Sequence, residues 1–266
     1  PKHLSLEHCS SEVTARYKAT LLKGNSLTDL TGGFGIDCAF LAAKFKSAIY
    51  VERQQELCEI AAHNFPILNL NHINVKNEDG VSYLQAMSPV DCIFLDPARR
   101  NEHGGKTVAI SDCEPDVAEL EELLLNKAGQ VMVKLSPMLD LSLALKELQH
   151  VQEVHIISAN NECKELLLIL GQASVEEISI HCVNLPTKGT QEEQHFVFTR
   201  EQEQRSQCTY TDSLGDYLYE PNASLLKAGA FRSIAAAYPV RKLHPNSHLY
   251  TSDTFIENFP GRIFRI

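Results

Sequence analysis

The chain has 266 residues, of which 44% are hydrophobic and 22% charged, and its formal net charge is -10 at pH 7. This composition is ordinary for a soluble globular protein that is long enough to bury a large core. No apolar run reaches the roughly 20 residues that cross a bilayer, so we expect a cytoplasmic protein with no membrane contact. The acidic charge argues against binding nucleic acid through overall charge, but a local basic face would still allow it.

The cysteines and the two chain ends indicate the redox state and the extent of the protein. Eight cysteines are dispersed without a C-x-x-C pair or closely spaced histidines, so we expect reduced, mostly buried thiols and no metal site. Nothing at the N-terminus indicates a secretory signal. Because the sequence does not begin with Met and ends on an apparent strand, we expect the natural protein to extend beyond both ends.

The first predicted element is a helix in SSEVTARYKATLLKG, with Ser and Glu at its start and Gly24 at its end. From Ser26 onward, β-rich runs alternate with helix-length segments such as ELCEIAAHNF and DVAELEELLLN. The predicted strands are SLTDL, AIYVE, INVK, DCIFLD, QVMVKL and VHIISA. This alternation predicts βαβ units and a parallel sheet with helices on both faces.

The end of this sheet is predicted to be antiparallel. VHIISA and ECKELLLILG are joined only by Asn160 and Asn161, which is too short for a crossover helix. A parallel sheet closed by an antiparallel pair distinguishes methyltransferase sheets from most dehydrogenase sheets. The predicted fold class is therefore α/β, with a Rossmann-like seven-stranded methyltransferase sheet that is parallel except for one antiparallel strand.

Beyond Gly171 the pattern changes. ISIHCVNL and HFVFTR predict another hairpin, before which the parallel sheet is expected to end. A helix near Ala223 to Ala237 and extended pieces near both His248 and Arg262 predict the start of a small α+β domain of the ferredoxin-like kind. We predict a helical lead-in over residues 1–25, the sheet domain over 26–172, a hairpin extension over 173–212 and the α+β segment over 213–266.

The strongest local signal is LTDLTGGFGID, a glycine loop between a strand and a helix. Glycines let the backbone turn sharply and approach a ligand, although a purely structural turn is the alternative. A dinucleotide fingerprint would place a third glycine where Cys38 stands. Carboxylates near the helix start would repel phosphate but attract a sulfonium and an amino group. We therefore predict S-adenosyl-L-methionine, bound here by Asp29, Thr31, Gly32, Gly33, Gly35 and Asp37.

Further cofactor contacts are predicted at the next two strand ends. Glu52 ends the second strand, where a carboxylate can accept both ribose hydroxyls of an adenosine ligand, as it also does in NAD enzymes. Arg53 is predicted either to flank the adenine or to face water. Asp79 is predicted to accept a hydrogen bond from the adenine amino group, or to be an ordinary helix cap.

The fourth strand ends in CIFLDPARRN, which points to the reaction. Asp96 lies at the edge of the sheet where ligands of open α/β sheets bind, so it is predicted both to contact the cofactor and to act in catalysis. Asp96 and the Pro97 carbonyl could hold an exocyclic amine for in-line displacement. Arg99 and Arg100 could bind nucleic-acid phosphates, or form a solvated loop pair.

Other candidates receive weaker predictions. The fifth strand ends in KLSP, which places Lys134 and Ser136 near the same sheet edge, and Lys134 is a candidate for a role there. Cys113 is the nearest candidate for the nucleophile that C5-pyrimidine methylation needs, although a buried incidental thiol fits it better. His244 and His248 flank Pro245 in a non-helical stretch, so we interpret them as structural.

The sequence resembles bacterial class I methyltransferases that have a THUMP-like C-terminal domain. The motifs are TARYKA, DLTGGFGID, LDPARR, YLYEPNASLLKAGAF and KLHPNSHLYTS, which span essentially the whole chain. The resemblance implies that the α+β segment is ferredoxin-like and that the THUMP-like domain lies beyond Ile266. Because THUMP modules generally deliver RNA, it also implies a partner RNA, either rRNA or tRNA, bound through that further domain.

A fainter similarity, in DLTGGFGID, LDPARR and VMVKLSP, is to ribosomal RNA guanine-N2 methyltransferases. Amino-group methylases usually have an aromatic residue after D-P-P or N-P-P, where this chain has Ala98 and Arg99, so the target atom stays open. We predict methylation of an amino nitrogen of an RNA base. The alternatives are a methyltransferase of a protein or small molecule, or a non-catalytic module that binds RNA; an NAD-dependent oxidoreductase ranks last.

Overall fold

A computed structural model describes residues 9–99, 109–187 and 192–266, with Arg99 described by its backbone only. The chain divides into two compact units. The first comprises the chain up to Val151 together with Leu167–Ser174, and the second comprises Gln152–Leu166 and Val175–Ile266. Within the described ranges, no helix is long and apolar enough to cross a membrane.

The first unit is built on a parallel sheet. Its strands are β1 (Ser26–Asp29), β2 (Ser47–Glu52), β3 (Ile73–Asn77), β4 (Val90–Leu95), the short β5 (Ala98–Arg99) and β6 (Cys113–Glu114), and β7 (Ala128–Leu135). The strand order β7-β4-β1-β2-β3 is formed by parallel pairs. β5 and β6 form a separate antiparallel ladder. The parallel βαβ arrangement predicted from the sequence is confirmed.

Helices follow the strands of this unit as the sequence predicts. They are α1 (Glu12–Leu21), α2 (Ile36–Ala42), α3 (Gln55–Ile67), α4 (Gly80–Ala86), α5 (Val117–Lys127) and α6 (Leu141–Glu147). The central strand β4 is buried without alternation, since Cys92, Ile93, Phe94 and Leu95 are at most 1% exposed. Such continuous burial is expected for a parallel strand covered by helices on both faces.

Helix α1 begins where the sequence places it. The Ser11 side chain caps it by accepting a hydrogen bond from the Thr14 amide. Its buried residues, Thr14, Ala15, Lys18 and Ala19, form one stripe, so the helix turns a lysine toward the protein interior. The helix ends at Leu21, earlier than the predicted stop at Gly24.

The turn of the predicted antiparallel hairpin lies in the second unit. Strands β8 (Val151–Ala159) and β9 (Glu162–Gly171) are separated by Asn160 and Asn161, whose φ angles are 51° and 62°. Two consecutive positive φ angles form the two-residue turn that suits a hairpin. β9 belongs to the second unit up to Leu166 and to the first unit from Leu167.

The parallel sheet does not end after β9, contrary to the sequence-based expectation. The predicted second hairpin forms as β10 (Ser179–Leu185) and β11 (Gln194–Phe198), but β10 also pairs in parallel with β8. The sheet consequently has nine strands, two more than the seven predicted. The extra strands were not predicted because the pairing of β10 with β8 is long-range and no local pattern specifies it. The predicted fold class is otherwise confirmed.

The C-terminal part of this unit has its own antiparallel sheet. Its elements are α7 (Arg200–Arg205), β12 (Tyr217–Pro221), α8 (Ala223–Ala228), α9 (Phe231–Ala237), β13 (Arg241–Lys242), β14 (Tyr250–Ser252) and β15 (Gly261–Arg265). The strand order is β13-β14-β12-β15. The single helix predicted over Ala223 to Ala237 is wrong. Gly229 adopts φ +75° and ends α8 before α9 begins.

Candidate active site

The glycine loop follows β1 and lies against β2. The Gly32 amide donates a hydrogen bond to the Val51 carbonyl at 2.9 Å. A Cβ on Gly32 would lie 2.2 Å from the Tyr50 ring, so only glycine allows this approach. Gly33 and Gly35 have φ angles of +56° and +76°, which residues with a side chain rarely adopt. The loop therefore needs its glycines for backbone reasons, as the sequence predicts.

Thr31 connects the ends of β1 and β4. Its amide donates to Asp29 Oδ1 at 3.0 Å, and its Oγ1 accepts from the Asp96 amide at 2.6 Å. The Asp29 carboxylate and the backbone of Asp96 are thereby fixed at the carboxyl edge of the sheet, where open α/β sheets bind their ligands.

A cavity of about 330 Å³ opens beneath this loop. That volume falls in the range of small-molecule sites. Every residue predicted to bind the cofactor lines it, namely Asp29, Thr31, Gly32, Gly33, Gly35, Asp37, Glu52, Arg53, Asp79 and Asp96. Pro97 is buried directly after Asp96. The side chain of Arg99 and the whole of Arg100 lie outside the described residues.

Glu52 stands at the end of β2 and is only 8% exposed. Its Oε2 accepts from the Gly33 amide at 2.9 Å, and its Oε1 accepts from the Gln54 amide at 2.8 Å. The carboxylate thus holds the glycine loop in place. Each carboxylate oxygen can accept a further hydrogen bond, so this role is compatible with contact to a ligand.

Asp79 and Arg53 have structural contacts as well as cavity positions. Asp79 Oδ1 caps α4 by accepting from the Val81 and Ser82 amides at 3.1 and 2.9 Å, as in the helix-cap alternative. Arg53 forms an exposed ion pair with Glu114 at 2.9 Å.

A buried ion network lies behind the cavity. Asp37 Oδ1 is 2.9 Å from Lys18 Nζ, and Asp37 Oδ2 is 2.9 Å from Lys134 Nζ. Lys134 also pairs with Asp96 Oδ2 at 2.7 Å. The Ser10 hydroxyl donates to Asp37 Oδ2 at 2.9 Å. The Lys18 side chain is fully buried and that of Lys134 is 9% exposed, so these pairs are shielded from water.

The three aspartates of the site have different pKa values. Burial raises the pKa of Asp29 to about 8, although the Thr31 amide opposes this shift. Burial alone would raise the pKa of Asp37, but Lys18 and Lys134 outweigh it and lower that pKa. Desolvation raises the pKa of Asp96, against the opposing effect of Lys134. At neutral pH Asp37 is therefore the firmly charged member, and Asp29 is largely protonated.

Several residues of this site were missed or only weakly indicated by the sequence. Lys18 was missed, and its signal was a lysine on the apolar stripe of α1. Lys134 was named without a partner. The cavity is also lined by residues that were not predicted to contact the cofactor, among them Ser10, Gln54, Leu57, Val81 and Pro115.

Other sequence candidates lie elsewhere or have local partners. Cys113 is 3% exposed and lies in β6. The Ser136 hydroxyl accepts from the Met138 amide at 3.3 Å. His248 stacks on Phe231 with ring centroids 3.8 Å apart, and His244 Nδ1 accepts from the Asn246 amide at 3.1 Å.

The chain is similar to solved structures of other proteins. A crystal structure from Porphyromonas gingivalis W83, described as a candidate methyltransferase, is 42% identical, with a TM-score of 0.89 over 99% of this chain and 66% of its own. The methyltransferase fold is confirmed. This chain spans just under two thirds of that relative. A modification subunit of a candidate type I restriction enzyme from Vibrio vulnificus YJ016 shares the fold at 10% identity, with a TM-score of 0.50 over 77% of this chain and 57% of its own.

Family models match two parts of the chain. Residues 4–101 match the model of protein-L-isoaspartate(D-aspartate) O-methyltransferase, and residues 217–260 match that of a ferredoxin-like domain. The second match agrees with the ferredoxin-like α+β segment predicted from the sequence. None of the curated proteins matches the chain.

Proposed function

We propose that this chain is an S-adenosylmethionine-dependent methyltransferase that methylates an amino nitrogen of a base in rRNA or tRNA. One observation carries the proposal. A single cavity joins the glycine loop and Glu52, which suit an adenosine ligand, to Asp96, which suits an acceptor amine. The cavity lies within the first unit, so it does not depend on how the two units are arranged.

The residues present fit this cofactor. A Cβ on Gly33 would meet nothing closer than the Thr31 carbonyl oxygen at 3.7 Å, so the loop presents an open surface to a ligand. Glu52 would accept hydrogen bonds from the ribose hydroxyls, and Asp79 would accept one from the adenine amino group. Leu57 and Val81 add apolar wall to the cavity. Asp29 would face the methionine part of the cofactor, whose positive charges favour the ionised form of the Asp29 carboxyl.

We infer for Asp37 a role different from the cofactor contact that its sequence position suggests. Lys18 and Lys134 already neutralise its charge. We infer that Asp37 acts as a structural anchor that holds Lys134 against Asp96, and that Asp29 is the carboxylate left to attract a cation. A cationic sulfonium cofactor would stabilise the ionised form of Asp29, whereas a phosphate-bearing dinucleotide would not, which favours the sulfonium cofactor over NAD.

The reaction follows from the position of Asp96. The bound cofactor supplies an electrophilic methyl group on a sulfonium centre. Asp96 and the Pro97 carbonyl accept hydrogen bonds from the acceptor amine and direct its lone pair at that carbon. The raised pKa of Asp96 brings its carboxylate closer to the basicity needed to take up the proton that the amine loses. Lys134, at 2.7 Å, holds the carboxylate in position.

The proposal of an RNA substrate rests on the resemblance to methyltransferases with a THUMP-like domain. It is supported by Arg99 and Arg100, which directly follow the acceptor site in sequence and could bind phosphates. We infer that a further, THUMP-like domain of a cytoplasmic protein delivers the RNA. Amino-group methylases usually have an aromatic residue after D-P-P, where this chain has Ala98 and Arg99, so the base must be held by other groups.

The first test is calorimetric titration of the 266-residue chain with S-adenosylhomocysteine and, separately, with NAD. We expect micromolar binding of S-adenosylhomocysteine alone. Binding of NAD alone would overturn the proposal, and binding of neither would favour the non-catalytic module.

The second test identifies the acceptor. Purified rRNA, tRNA and total protein are incubated separately with the chain and methyl-labelled cofactor, and the labelled nucleosides are then identified after digestion. We expect label in a methylated guanine or adenine amino group. Label confined to protein would support the alternative of a protein methyltransferase and contradict the RNA substrate.

A further inference from the structure

A cluster of three histidines and a glutamate lies on one face of the second unit, away from the proposed active site in sequence. The parallel register of β8 and β10 places Glu153 beside Ser179 and His155 beside His181. Alternate residues of a strand point to the same face, so these four side chains form a two-by-two group.

The side chains of this group converge on the same end. The rings of His155 and His181 are stacked, with centroids 4.3 Å apart and planes 16° apart. His155 Nε2 is 3.1 Å from Glu153 Oε2, and His181 Nε2 is 3.2 Å from Ser179 Oγ. Both Nε2 atoms thus point toward the row formed by Glu153 and Ser179. Ligand atoms of Glu153, His155 and His181 all lie within 4.8 Å of one another.

A third histidine fixes the orientation of His181. His195 on β11 places its Nε2 3.1 Å from His181 Nδ1. A histidine that binds a metal through one ring nitrogen usually has its other nitrogen held by such a hydrogen bond. His195 is exposed and His155 is 2% exposed, so the group is anchored on one side and open to ions on the other.

We propose that Glu153, His155 and His181 form a binding site for a divalent transition metal ion of the Zn²⁺ type, with His195 orienting His181. Zn²⁺ accepts nitrogen and carboxylate ligands at about 2.0–2.2 Å, and three protein ligands with one water complete a tetrahedron. Ligand atoms of such a tetrahedron lie about 3.4 Å apart, so on metal binding the ligand atoms would draw together. The nearly parallel rings of His155 and His181 would tilt so that their lone pairs meet on one ion. The sequence predicted no metal site because the ligands are on two strands that only the sheet brings together.

The test is direct titration of the chelator-treated 266-residue chain with ZnCl₂ by calorimetry, with Co²⁺ absorption as a spectroscopic readout of tetrahedral coordination. We expect one Zn²⁺ site that Glu153→Gln and His181→Ala each weaken at least tenfold, and that His195→Ala weakens less. The matched control is His63→Ala, which removes an exposed histidine from α3 and should leave binding unchanged.

The outcomes separate this site from the thiols and from the other histidines. Absence of Zn²⁺ binding by the unaltered chain would overturn the proposal. So would binding that survives both Glu153→Gln and His181→Ala, because the metal would then be held elsewhere. Glu153 is half exposed, so its glutamine variant is expected to fold even if His155→Ala does not. Circular dichroism checks the fold of each variant.

Discussion

The buried Lys18 is predicted to be essential for the stability of the site. The perturbation is Lys18→Met, which keeps most of the apolar stem and removes the charge. Lys18 Nζ lies 2.9 Å from Asp37 Oδ1, and its side chain is fully buried. After the substitution, one oxygen of a buried carboxylate loses its cation.

The expected magnitude follows from the remaining partners. Removing one member of a buried ion pair costs about 3–5 kcal/mol, because the other charge is left uncompensated. Lys134 and Ser10 still contact Asp37 Oδ2, each at 2.9 Å. We therefore expect a loss near the lower end, about 3 kcal/mol in the free energy of unfolding. The pKa of Asp37 should rise toward its unfolded value, so less stability should be lost as the pH falls through the acid range than in the unaltered chain.

The assay is urea denaturation at pH 7, followed by far-UV circular dichroism. Lys23→Met removes an exposed lysine just beyond α1 and should change stability by less than about 0.5 kcal/mol. The double variant Lys18→Met/Asp37→Asn removes one charge of each sign and should be more stable than the sum of the two single losses predicts. A cost below about 1 kcal/mol for Lys18→Met, or strict additivity, would refute the buried pair.

Three further predictions concern the cavity carboxylates. Glu52→Ala should weaken S-adenosylhomocysteine binding by about 1–3 kcal/mol, while Glu56→Ala on the exposed face of α3 should not; equal affinities in calorimetry would contradict this. Asp96→Ala should abolish methyl transfer to RNA with nearly unchanged cofactor affinity, and release of the cofactor would show that the two roles are wrongly divided. Because burial raises the pKa of Asp29 from 3.8 to about 8, folding stability should fall as the pH rises through that window. Asp29→Asn should remove this loss. In urea denaturation at pH 9 the variant should be more stable than the unaltered chain by a few kcal/mol, and at pH 4 it should not be more stable.

The sequence predicted those parts of the site that are set by local chain geometry. A strand, a glycine loop and a helix follow one another over about a dozen residues, and Gly33 and Gly35 adopt positive φ angles that few other residues tolerate. The strand-end carboxylates Glu52 and Asp96 were predictable for a similar reason, because parallel strands bring their carboxyl ends to one edge.

Pairing between distant segments was decided by the tertiary structure. β10 joins β8 in parallel, although its own residues suggest only a hairpin with β11. Alternating burial identifies a strand, but it does not say which neighbour the strand will select. The break at Gly229 was missed because an isolated glycine within a helical pattern is compatible with either a continuous helix or two helices.

By itself, the sequence determined the alternation of strands and helices in the parallel sheet, the glycine loop and the acidic lining of the cavity, because each depends on neighbours within one or two elements. Only the tertiary structure decided that Lys18 neutralises Asp37 and that Lys134 connects Asp37 to Asp96. It also decided that Glu153, His155 and His181 meet on one sheet face. These contacts join charges that are distant in the chain, and their strength depends on burial, which composition and periodicity do not specify.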